Sequence, residues 1–100
     1  MIARIWKGNT PRPKADDYAE YLKETGIKDY KNTEGNRGVY ILRRIEGLEA
    51  HFLIITFWDS VEAIKKFAGE DYEKARYYPE DKDYLLVFAE KAEHYEVIET

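Results

Sequence analysis

Hydrophobic and polar positions alternate along Met1–Gly8, with Met1, Ala3 and Ile5 on one side and Ile2, Arg4 and Trp6 on the other. That period of two predicts a strand ended by Gly8 and Asn9. Thr10 then stands as an N-cap, and Pro11 and Pro13 fit only at or before a first helical turn. Ala15, Tyr18, Ala19 and Leu22 carry helical spacing through Lys14–Thr25, with Gly26 as the stop and Asp29–Asn36 as a polar loop. Gly38–Ile45 returns to period two, Val39, Ile41, Arg43 and Ile45 opposing Tyr40, Leu42 and Arg44. Glu46–Glu49 has the length of a hairpin turn.

The next strand, His51–Trp58, is apolar at almost every position, so both of its faces should be covered. Asp59-Ser-Val-Glu62 has the spacing of a capping box, Asp59 accepting from the first-turn amides and Glu62 reaching back. Val61, Ile64, Phe67 and Ala68 supply the buried stripe of a helix over Ser60–Ala68, which Gly69 ends. A further helical segment is expected over Asp71–Tyr78, cut off by Pro79; Ala92–Ile98 is the last strand. Strand-helix-strand therefore occurs twice, which predicts an α+β, ferredoxin-like β-α-β-β-α-β fold with an antiparallel sheet and both helices on one face. The other face needs a cover, and a homodimer through sheet faces would supply it.

Composition narrows the picture. A length of 100 residues suits one domain, residues 1–100. The 16 basic and 20 acidic residues are interspersed, giving a net charge of −4 and no basic stripe for nucleic acid. No apolar run reaches membrane-spanning length, and Arg4 and Lys7 within the first strand argue against a signal peptide, so a cytoplasmic protein is expected. Without Cys there is no thiol nucleophile, disulfide or thiolate metal site. His pairs at ligand spacing and a calcium-loop pattern are absent, so no metal is expected. Nine tyrosines suit either a subunit interface or an aromatic pocket.

The string Phe57-Trp58-Asp59-Ser60-x-Glu62-Ala63-x-x-x-Phe67 resembles the central motif of the antibiotic biosynthesis monooxygenase family. The segments from Phe67 to Asp81 and His94-Tyr-Glu-Val resemble an uncharacterised branch of it. The resemblance implies a ferredoxin-like domain whose sheets pair across a two-fold axis into a dimeric α+β barrel. It also implies either cofactor-free oxygenation of quinols and polyketide aromatics or haem degradation. Quinol-oxidising members carry a His where this chain has Phe67. Haem-degrading members carry an axial His near the place of Tyr77 and an Asn on the first strand, where Arg4 and Trp6 stand instead. Haem degradation is therefore not expected, and no cofactor is.

The residues themselves offer a small set of candidates. His94 is a candidate general base on a phenol, or else a structural His near the dimer contact. Arg4 could stabilise a phenolate or carboxylate through its planar fork, or pair with an acid on a neighbouring strand. Trp6, Tyr40, Phe67 and Tyr77 are candidate ligand-binding residues, and Tyr72, Tyr77 and Tyr78 could form an aromatic lid. The expected function is a small cofactor-independent monooxygenase-like protein acting on or binding a phenol or hydroquinone. The alternative is a non-catalytic dimeric ligand-binding or stress-related module of the same fold. Whether Arg4 and His94 share a face depends on strand register.

Overall fold

The computed structural model describes all 100 residues. Its strands are β1 (Ile2–Pro11), β2 (Asn36–Glu46), β3 (Glu49–Trp58) and β4 (Glu93–Glu96). Its helices are α1 (Ala15–Glu24), α2 (Gly26–Asn32) and α3 (Val61–Ala68). The strands form one antiparallel sheet in the order β2-β3-β1-β4, the ferredoxin-like order that sets the last strand beside the first.

Several local expectations give way to tertiary packing. β1 continues past Gly8 to Pro11, because β3 pairs with it as far as Pro11↔Glu49. Thr10 is consequently a fully buried strand residue and not a cap; its hydroxyl donates to the Pro11 carbonyl. A 3-10 turn over Arg12–Lys14 leads into α1, which has no side-chain cap. Gly26 does not end the helical region but opens α2, which takes in most of the segment expected as a loop. Ile27 and Tyr30 are buried on its inner side. The hairpin turn between β2 and β3 rests on Gly47 at φ 62°, a left-handed position that suits glycine.

The cap of α3 is Ser60, whose Oγ accepts from the Ala63 amide at 3.2 Å. Asp59 is turned outward to Arg37, whose Nε donates to it at 2.5 Å. The competition is decided by charge: an exposed guanidinium offers Asp59 two donors, and a hydroxyl suffices for the cap.

The helix expected over Asp71–Tyr78 does not form. Residues 69–92 instead make a strap of turns, held by one isolated bridge, Lys74↔Lys91, and a 3-10 turn at Asp81–Asp83. Buried Asp81 pins the strap to α1, accepting from the Tyr18 hydroxyl at 3.3 Å and the Tyr78 amide at 2.6 Å. Burial raises its carboxyl above the usual range, with the Tyr78 N–H pulling the other way. The last strand is also shorter than expected, ending at Glu96.

All three helices lie on one face, the inner face, and the strap runs from it to the edge of β1, where the Leu86 amide donates to the Asn9 carbonyl. On the inner face Trp58, Ile64 and Tyr18 are almost wholly enclosed, with Phe52, Ile54, Leu22 and Phe67 around them. β3 alternates strictly between buried Ala50, Phe52, Ile54, Thr56, Trp58 and half-buried His51, Leu53, Ile55, Phe57. The outer face of the single chain thus presents Ile5, Leu53, Ile55 and Phe57 with exposed Tyr40, Leu42 and Tyr95 around them. No helix is long and apolar enough to cross a membrane.

Candidate functional site

β1 places Arg4 and Trp6 on the inner face by its alternation, and β4 pairs so that His94 stands opposite Arg4. Directly paired residues of an antiparallel ladder project to the same side. Register, which pattern alone left open, therefore brings Arg4, Trp6 and His94 together. Each of the three has a buried nitrogen without a partner: Arg4 Nε, Trp6 Nε1 and His94 Nε2. Only one other side-chain atom shares that condition, Asn36 Nδ2, two strands away. Buried polar groups are almost always hydrogen-bonded, so three orphans on adjacent positions of one face form a concentrated departure from the rule.

Arg4 is 1% exposed and makes no ion pair with an acid. One Nη donates to the Lys74 carbonyl at 3.2 Å, and Cζ lies 5.5 Å from the centre of the Phe67 ring. Burial lowers its pKa below the usual guanidinium value, opposed by the nearby Tyr30 hydroxyl. Burial also lowers the pKa of His94, and the Arg4 charge lowers it further, against a pull upward from Glu73. The imidazole is therefore neutral at pH 7, and Nε2 can act as a proton acceptor.

An aromatic ring stands over each member of the trio. Phe67 stands by Arg4, Tyr77 meets Trp6 edge-on at 6.2 Å, and Tyr72 meets His94 edge-on at 5.1 Å. Two of these three rings belong to the strap. Phe67 is held in turn by Tyr30, stacked at 4.3 Å, and by Arg76, whose Cζ is 4.8 Å from the ring. Arg76 also donates to the Phe67 carbonyl and to Asp29, clasping the strap to α2 and α3. Tyr78 joins that clasp through Asp29 and is not over the trio. Beyond Tyr77, a groove of about 440 Å³ is lined by Lys74, Ala75, Phe88 and Lys91.

Tyr40 belongs elsewhere. It pairs with Ile55 on the outer face and is 61% exposed, so it cannot line a cavity with Arg4. Tyr30 and Thr56 are the contributors that pattern reading missed. Tyr30 neighbours Arg4, and Thr56 Oγ1 lies between the Trp58 indole, which donates to it at 2.8 Å, and the Arg4 carbonyl, to which it donates at 3.3 Å. The three-residue spacing of Ile27 and Tyr30 was the available signal for the first; nothing in the sequence marked the second.

The fold is that of the antibiotic biosynthesis monooxygenase-type proteins, a ferredoxin-like α+β sheet with its helices on one side. A solved structure of the heme-degrader MhuD from Mycobacterium tuberculosis, with two hemes bound in its active site, superposes with TM-score 0.64 at 19% identity. The match covers 100% of this chain and 98% of that one. A MhuD variant with two manganese protoporphyrin IX per active site gives 0.61 at 20% identity, over 100% and 97%. A Bacillus cereus protein named as an antibiotic biosynthesis monooxygenase gives 0.65 at 15% identity, over 99% and 92%. No family model matches the chain, and no curated protein does. At these identities the likeness establishes the fold.

In this arrangement aromatic side chains cover the inner face at the trio. Phe67, Tyr72 and Tyr77 occupy the ground over the trio, and the Tyr77 hydroxyl donates to the Ala89 carbonyl at 2.5 Å. The longer β1 does contain an Asn, contrary to the reading of a shorter strand. Asn9 pairs with His51 on the outer face, and its amide donates to Glu49 at 2.7 Å. No group of three or more His, Asp or Glu side chains is placed to hold a metal ion.

Proposed function

We propose that this chain is a small oxygenase without metal or flavin that takes a phenol- or hydroquinone-type aromatic between the sheet and the strap. The observation that carries this reading is the set of three unpartnered nitrogens on Arg4, Trp6 and His94. A ligand oxygen placed among them would satisfy a cation, a neutral donor and a proton acceptor at once, inside aromatic walls suited to a flat ring. The ligand displaces Tyr72 and Tyr77 as the strap moves, with the groove beyond Tyr77 as its entrance.

In that pose His94 Nε2 accepts the phenolic proton and Arg4 pairs with the phenolate. The electron-rich ring then reduces dioxygen itself, and the net change converts one phenol and one dioxygen to one quinone and one water. Phe67 bears on how far the chemistry runs. It stands where quinol-oxidising relatives by resemblance carry a His, so His94 is the only imidazole available on this face. A binding module built on the same residues is the second reading, and this substitution favours it.

Titration with 1-naphthol, followed by Trp6 and Trp58 fluorescence and by an oxygen electrode, tests both. Saturable quenching with oxygen uptake, the uptake lost in His94→Ala, supports the oxygenase. Saturable quenching without uptake selects the binding module. Absence of quenching by 1-naphthol or 1,4-dihydroxynaphthalene overturns both. The same reading includes a homodimer, in which a second copy covers Ile5, Leu53, Ile55 and Phe57.

A further inference from the structure

The three unpartnered nitrogens of the inner face call for particular atoms. Arg4 Nε and Trp6 Nε1 carry hydrogens and can only donate. The Ala92 carbonyl accepts a hydrogen bond from the His94 ring and Nε2 has no partner, so the proton sits on Nδ1 and Nε2 can only accept. The complement is two acceptors and one donor.

Hydrogen bonding is half of the demand, because the charge is also unbalanced. Arg37, Arg43, Arg44 and Arg76 each have a carboxylate oxygen within 3.2 Å. Arg4, the one buried arginine, has none. Its neighbour Tyr30 is neutral, since burial raises the phenol's pKa despite the Arg4 charge. Glu73, whose charge reaches His94, is exposed and lies 3.9 Å from Lys91. A neutral phenol would fill the hydrogen bonds and leave the guanidinium uncompensated. A carboxylate supplies both acceptors and the charge.

Register orders these groups. Arg4 is the corner: Trp6 is two residues along the same strand, and His94 faces Arg4 across the ladder. A carboxylate at the corner takes Arg4 with one oxygen and Trp6 with the other. The donor for His94 then belongs on the ligand's body, about 5 Å away, the spacing of paired positions. A hydroxyl ortho to the carboxylate does not serve, because it bonds to its own carboxylate and leaves Nε2 unpartnered. One ring position further on, the hydroxyl is free to donate. The half-buried rings of Tyr72 and Tyr77, over His94 and Trp6, are what such a body replaces, which suits two fused rings.

We infer that the inner site selects an aromatic carboxylate with a hydroxyl meta to it, the carboxylate bridging Arg4 and Trp6 and the hydroxyl donating to His94. This rests on the reading that the trio takes an aromatic, and narrows it. The carboxylate becomes the partner of Arg4, and the phenolic proton still goes to His94.

Calorimetric titration of the whole chain at pH 7 with naphthalenes that differ by one group tests this. The probes are 4-hydroxy-2-naphthoate, 1-naphthol (the same molecule without the carboxylate), 2-naphthoate (without the hydroxyl) and 3-hydroxy-2-naphthoate, whose hydroxyl is ortho. The first should bind at least about tenfold more tightly than 1-naphthol and about threefold to tenfold more tightly than the other two. In His94→Ala it should bind only as 2-naphthoate does, and Arg4→Met should bind none of the probes. Circular dichroism establishes that each variant is folded. If 1-naphthol binds as tightly as 4-hydroxy-2-naphthoate, the inference falls while the reading it rests on stands. The inference also falls if the ortho isomer binds as tightly as the meta, or if the meta isomer keeps its advantage in His94→Ala. Carboxylate binding in Arg4→Met as in the parent places the anion elsewhere and overturns it too. If the parent binds none of the probes, the inference and the reading fall together.

Discussion

Arg4→Met should leave the chain as stable as before, or more stable, while abolishing aromatic binding. Moving a guanidinium into the interior costs several kcal/mol even after relaxation. What Arg4 recovers there is at most of the same order. One charge-assisted bond to the Lys74 carbonyl, long at 3.2 Å, is worth about 1.5–3 kcal/mol, and the Phe67 ring at 5.5 Å about 0.5–2 kcal/mol. The Tyr30 hydroxyl adds about 1 kcal/mol. Nε contributes nothing, and there is no carboxylate to balance the charge. Met fills most of the same volume with polarizable, flexible atoms and needs no partner. Replacing buried ions by apolar residues of similar volume is neutral or stabilising by about 1–4 kcal/mol. With a urea m-value of roughly 1–1.5 kcal/mol/M, the midpoint should stay in place or rise by as much as about 3–4 M. Urea unfolding followed by far-UV circular dichroism, beside 1-naphthol quenching on the same samples, gives both halves. A variant less stable than the parent by more than about 1 kcal/mol would show Arg4 to be a structural group and refute the argument.

Trp58→Ala should cost about 3–5 kcal/mol, since the ring is 0% exposed between Tyr30 and Phe67; melting within a degree or two of the parent would show the ring to be peripheral. Light scattering at micromolar concentration should give twice the 11.9 kDa chain mass, and Ile55→Lys, at the centre of the outer face, should give a single chain. Haem should bind weakly and survive a reductant, so stoichiometric binding with loss of the Soret band would overturn the reading of the filled inner face. His94 has a pKa below its unfolded value of 6.5, so its neutral form favours folding. That stability is present above pH 6.5 and lost as pH falls below it, and His94→Gln should flatten the loss between pH 7 and pH 5 in urea unfolding.

Strand and helix periodicity, read over ten or more residues, determined the two β-α-β units, the antiparallel hairpin around Gly47 and the two-sided apolar character of β3. These are local or nearly local properties: alternation assigns faces within a strand, and glycine marks where φ must be positive. The same alternation put Arg4 with Trp6. Only the tertiary structure decided that His94 joins them, because a shift of one residue in the β1–β4 pairing would have turned it to the outer face. It also decided against a helix over Asp71–Tyr78, where the strap gains more from Asp81, Arg76 and the Lys74↔Lys91 bridge than from its own turns. It extended β1 to Pro11 because a long neighbouring strand was there to pair with it. Tyr40, a plausible pocket residue by composition, went to the opposite face. Residues that meet across the sheet are set by contacts between distant segments, and no local pattern encodes those; the faces of a single strand need only its own period.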